Sequence, residues 1–257
     1  MLTRRETLLA ALGSLVVPGP LLYANDSAEQ QRIVNGGQGY LVKMFDSSMN
    51  LLPEFSGSKT YWLYHDNYLA AKILDGVDPD KAKRIRERIK SFGIDHSGKI
   101  EIVFGEAKHP LPFKQYELFD VAKVGEKTVK SERVTDRPLQ GWEGYGDLLA
   151  LAIIAEPESD QAPALFKQLV AMWDGQGIAD RAMKHMGIYA TYKIALAMLA
   201  AQKLNEKLPF ADRAMSRLIR LLHPFGGMIT DYDRTGTPKG MANVETTSLV
   251  VLAMTNR

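Results

Sequence analysis

A chain of 257 residues, 46% hydrophobic and 24% charged, has ordinary globular composition, and its length suits one large domain. Its formal net charge of +2 argues against a nucleic-acid partner, because the single basic cluster, residues 81–90, is interleaved with Glu87 and preceded by Asp80. With no cysteine, disulfides, thiolate metal sites and a cysteine nucleophile are excluded.

The first residues read as an address. Arg4 and Arg5 precede an apolar run over 8–17, then Pro18, Gly19 and Pro20, then a small-residue cleavage site at Leu22-Tyr23-Ala24. The run is too short to span a bilayer. The phrase TRRETLL resembles the twin-arginine export motif, with Thr7 where that motif prefers an aromatic residue. Residues 1–24 are therefore predicted to be an export signal that engages the export machinery. Residues 25–257 are then expected to form the mature domain, with no stable membrane insertion and a periplasmic or extracellular location.

Taken in order, residues 28–45 have helical apolar spacing weakened by Gly36, Gly37 and Gly39. A loop over 47–58 leads to residues 60–74, read as one helix apolar on nearly every side after a polar, aromatic first turn. Pro79 suits a first helical position, and Ala82, Ile85 and Ile89 share one face of the helix that follows. Residues 99–104 alternate like a strand, and 116–124 and 127–134 read as a hairpin about Gly125-Glu126. Helices follow over 142–155, 159–173, 188–201, 210–222 and 243–254, with a polar loop predicted over 231–238.

Amphipathic helices thus alternate with helices apolar all round, and the second kind must be buried on every side. The pattern predicts a mainly α fold, an α/α toroid of helical hairpins, open or incomplete, with a small antiparallel β insertion around 99–134. The polar first turns of the buried helices would meet at one end.

The phrases YWLYHDN, from Tyr61, and ANVETTSLVVLA, from Ala242, resemble the α/α-toroid proteins of the six-hairpin glycosidase kind. That resemblance implies a carbohydrate-facing cleft with carboxylates at the inner helix starts. It places no catalytic residue by itself.

Position within this sequence supplies the candidates. Glycoside cleavage needs two carboxyl groups, one protonated and one ionised, with aromatic faces nearby for sugar rings. Asp66, Glu143 and Glu245 stand at buried-helix starts, with Asp147 in reserve. Tyr61, Trp62, Trp142, Tyr145 and Tyr189 would be sugar platforms, and Asn67 and Lys193 polar contacts. The same acids also suit helix capping, since a carboxylate stabilises a helix N-terminus through its dipole. The five histidines, His65, His96, His109, His185 and His223, have no metal-binding spacing, so neither a metal nor a cofactor is expected. The reading is an exported carbohydrate-binding protein with glycoside hydrolysis as its candidate activity, and a non-catalytic periplasmic scaffold or binding protein on a toroid fold as the alternative.

Overall fold

The computed structural model describes residues 24–96, 99–106 and 113–255. The export segment predicted over 1–24 falls, but for its last residue, outside them, as does His109.

Eight α-helices are present among the described residues: α1 (Ala24–Met44), α2 (Leu69–Leu74), α3 (Pro79–Ser91), α4 (Gly146–Ala155), α5 (Ala162–Ala171), α6 (Thr191–Lys203), α7 (Ala211–Leu221) and α8 (Val244–Thr255). Helices α4, α6, α8 and α2 pack as successive neighbours, with α1 against α8 and α2, α3 against α2, α5 against α4 and α7 against α6. Every residue of α8 from Thr246 to Met254 is buried, and so is every residue of α4 from Leu148 to Ile154. An unbroken apolar surface of that kind stays out of water only when neighbours cover all of it. On α1, Gly37 permits the closest approach: a Cβ there would lie 2.4 Å from Val251 Cγ2 of α8.

The expected mainly α toroid is overturned. Helix makes up 48% and strand 21%, and the strands form two three-stranded sheets, so the fold is mixed. One sheet has the order β1-β3-β2, from β1 (Thr60–Trp62), β2 (Lys114–Val124) and β3 (Lys127–Pro138). The β2–β3 hairpin turns at Gly125, whose φ of 59° favours glycine, and β1 joins β3 in parallel, pairing Thr60 with Thr128. The hairpin expected as a self-contained insertion is thus completed by residues read as a helix start. The second sheet has the order β4-β5-β6, from β4 (Ile188–Ala190), β5 (Met228–Asp233) and β6 (Pro238–Asn243).

Three buried helices are entered directly from strands: β1 leads through a π-helical turn, Leu63–Tyr68, into α2, β4 into α6 and β6 into α8. Residues 60–74 are therefore not one helix. The polar loop expected over 231–238 shrinks to a tight turn between β5 and β6, closed by Asp233, whose Oδ1 accepts from the N–H groups of Thr235 and Thr237 at 2.9 and 3.0 Å. The strand expected over 99–104 is a 3-10 turn, Ile100–Phe104. Its residues Ile100, Glu101, Ile102 and Val103 are all buried, a demand that an alternating strand with one wet face cannot meet. Among the described residues no helix is long and apolar enough to cross a membrane.

Candidate active site

The two sheets meet at Glu54. Its N–H donates to Thr60 O of β1 at 2.9 Å, and its carbonyl accepts from Val244 N, the first residue of α8, at 3.0 Å. Phe55 bridges to Asn243 in the same place. This loop residue therefore ties the entry of α2 to the entry of α8 and sets its side chain between them.

His65, in the π-helical turn, lies between two carboxylates. Its Nε2 is 2.8 Å from Glu132 Oε1 of β3, and its Nδ1 is 3.1 Å from Glu245 Oε1 of α8. Burial alone would depress the imidazole pKa, but Glu245 and then Glu132 outweigh it and hold it up at about 10. His65 is a cation at neutral pH. Glu132 is 3% exposed; burial would raise its pKa, but His65 and then Lys99 keep it below the usual carboxylate value. An inward-pointing acid on β3 is thus fixed as an anion and holds the cation in place.

Asp66 and Glu54 have the opposite electrostatics. Asp66 is 1% exposed, and burial, then Glu245, then Glu54, push its pKa well above the ordinary value. Its carboxyl accepts from the backbone N–H of Glu245, while Oδ2 is buried with no hydrogen-bond partner. Glu54 is half-buried, and burial with the nearby Glu245 raises its pKa, although the Trp62 indole donates to it. Three carboxyl groups, on Glu54, Asp66 and Glu245, thus crowd one spot with a single histidine cation.

The starts of α4 and α6 continue the same end of the helix layer. Tyr192 donates from its hydroxyl to Asp147 Oδ2 at 3.2 Å. Its phenol is kept protonated by burial, then by Asp147 and Glu245. Buried Lys193 pairs with Asp180 Oδ2 at 2.5 Å and lies 3.9 Å from Asp147 Oδ1. Asp180 also accepts from Gly146 N at 2.9 Å, capping α4 from outside the helix.

Capping is therefore supplied largely by residues other than the first-turn acids. Asp180 serves α4, and Asp66 with Asn243, whose Oδ1 accepts from Thr246 N at 2.8 Å, serves α8. Asp147 and Glu245 instead turn to side chains across the helix junctions.

Of the predicted acids, Asp66, Glu245 and Asp147 come to the shared end, and Glu143 does not. Glu143 is exposed on a 3-10 turn and, with Trp142, borders a separate cavity of about 340 Å³ beside α5. Trp142 packs edge-on against Phe113 at 5.4 Å. The β pleat sends Trp62 toward Glu54 and Tyr61 away, its hydroxyl donating to Asp46 Oδ2 at 2.8 Å. Asn67 is buried and occupied by backbone groups, with Leu52 N at 2.6 Å, Leu52 O at 3.0 Å and Trp62 O at 2.8 Å. Tyr189 is buried, stacks on Tyr232 and donates to Asp174. Tyr145 is half-buried with Arg181 above its ring.

Sequence reasoning missed Glu54, Glu132 and Asp180 and underrated His65. Only His65 carried a signal, as a histidine beside Asp66 in the polar turn before a buried helix, and its partners come from β3 and α8. Compared with known protein families, curated proteins and solved structures, this chain matches none.

Proposed function

We propose that this protein is exported, binds a glycan at the junction of the buried-helix starts, and hydrolyses a glycosidic bond there. The observation that carries the reading is the pairing of two unlike carboxyl environments. Glu54 is half-buried, where burial and the nearby Glu245 raise its pKa, while Glu245 Oε1 lies 3.1 Å from His65 Nδ1. A carboxyl of raised pKa suits the acid, and a second carboxyl beside a histidine suits the base or nucleophile, the two roles that glycoside cleavage needs.

In this reading Glu54 protonates the leaving oxygen and Glu245 attacks, or activates the attacking water. Asp66 positions Glu245 by holding its backbone N–H. Trp62, Tyr192 and Tyr145, all half-buried, are the nearest ring faces for a sugar, and Asp147 adds a hydroxyl contact through Tyr192. The Arg4-Arg5 leader supports an exported location, where glycan polymers are met.

The test is release of reducing ends from a panel of neutral and acidic polysaccharides by the full chain, with Glu245→Gln as the inactive variant and Glu143→Gln as the control. The reading expects hydrolysis of at least one polymer, its loss in Glu245→Gln and its survival in Glu143→Gln. A non-catalytic scaffold or binding role is the second reading, favoured by the engagement of Glu245 with His65 inside the protein itself. It would appear as polymer binding without any release.

A further inference from the structure

Away from that junction, a cavity of about 260 Å³ opens between α7 and the loop after α5, bordered by Trp173, Gln176, Arg213, Ser216, Arg217 and Arg220. The arginines fall at i, i+4 and i+7, on one face of α7. Asp212 is the single acid in the lining, and among the described residues none of the three arginines makes an ion pair.

The guanidinium of Arg217 is held in place rather than free. It lies 4.8 Å from the Tyr232 ring centroid, donates from Nη2 to Gln176 Oε1 at 2.8 Å, and rests against Gly236, where any Cβ would collide with Nη1. Gln176 is itself carried on a turn fixed by Asp174 Oδ1, which accepts from Gln176 N and Gly177 N at 3.0 and 3.1 Å. Trp173 is fixed by stacking on Phe210 at 4.2 Å and 7°.

Among the described residues, two buried nitrogens on side chains that border the cavity have no acceptor: Trp173 Nε1 and Arg217 Nη1. Both are donors only. A buried donor without a partner costs stability, and two of them beside the Arg213 and Arg220 guanidinium groups ask for the same complement. We propose that this cavity is an anion-binding site that takes an oxyanion or carboxylate group, with Arg213 and Arg220 contributing charge from the rim and Arg217 and Trp173 donating from the wall. It does not depend on the glycosidase reading.

The test is isothermal titration of the full chain with sodium sulfate, sodium phosphate and sodium glucuronate at constant ionic strength, with sodium chloride as the control. The proposal expects one saturable site for at least one of the three anions and none for chloride. The tightest probe tells a tetrahedral oxyanion from a carboxylate. Arg213→Gln/Arg220→Gln, both exposed and safe for folding, should weaken binding about tenfold or more. Trp173→Phe keeps the stacking, removes the N–H and should weaken it several-fold, while Glu245→Gln should change nothing. No saturable heat with any probe, or an unchanged affinity in Arg213→Gln/Arg220→Gln, would overturn the proposal.

Discussion

His65 Nδ1 stands 3.1 Å from Glu245 Oε1, joining the π-helical turn before α2 to the first turn of α8. These residues are 180 positions apart in sequence, and Glu132 on β3 completes the contact from the other side of the ring. The junction is therefore electrostatic as well as steric, and it should respond to pH.

The sign follows from the raised imidazole pKa. A group whose folded pKa exceeds its unfolded value contributes stability that is full below the unfolded value, about 6.5, and lost as pH rises through the folded value, about 10. Unfolding free energy should fall across that window with a slope of up to ~1.4 kcal/mol per pH unit from this residue. Urea denaturation of the wild type and of His65→Gln at pH 6, 8 and 10 checks it. The variant should show a shallower decline, and parallel declines would remove His65 as the cause.

Asp66 predicts an unusual tolerance. Its pKa is raised well above the ordinary value, so the native state holds its proton more tightly than the unfolded chain does. The stability linked to that proton is full below about pH 4 and is lost as pH rises. Asp66→Asn keeps an oxygen for the Glu245 N–H and removes the titration. Its melting temperature should rise relative to wild type between pH 5 and pH 8. Asp66→Ala, which deletes the cap as well, should cost ~1–2 kcal/mol.

Gly37 predicts a steric lesion with a built-in rescue. A methyl group there would lie 2.4 Å from Val251 Cγ2, so Gly37→Ala must push α1 off α8 and should cost ~1–3 kcal/mol. Adding Val251→Ala should recover part of the loss in a thermal melt, and non-additivity between the two is the expected signature of contact.

The buried helices were legible because contiguous apolar residues such as Leu148 to Ile154 leave no wet face to assign. The strands that enter them were not. Thr60–Trp62 and Ile188–Ala190 are three residues each, too short for a period of two to register before the helical pattern takes over. In residues 231–238 the turn chemistry of Asp233 and Thr235 masked the flanking strands, and β5 takes its other partner, β4, from far back in the chain. At the site, Asp66, Asp147 and Glu245 stood out because each opens a buried helix. Glu54 stands in a loop and Glu132 in a charged strand, and only the tertiary contact with His65 and the start of α8 gives either residue meaning.

The most direct measurement is a comparison of two single variants on two kinds of substrate. If Glu54 is the acid and Glu245 the base or nucleophile, Glu54→Gln should lose turnover on a polysaccharide yet retain much of it on the matching dinitrophenyl glycoside, whose leaving group needs no proton. Glu245→Gln should lose both by about 100-fold or more. Wild-type turnover of the polysaccharide by both variants would contradict the account.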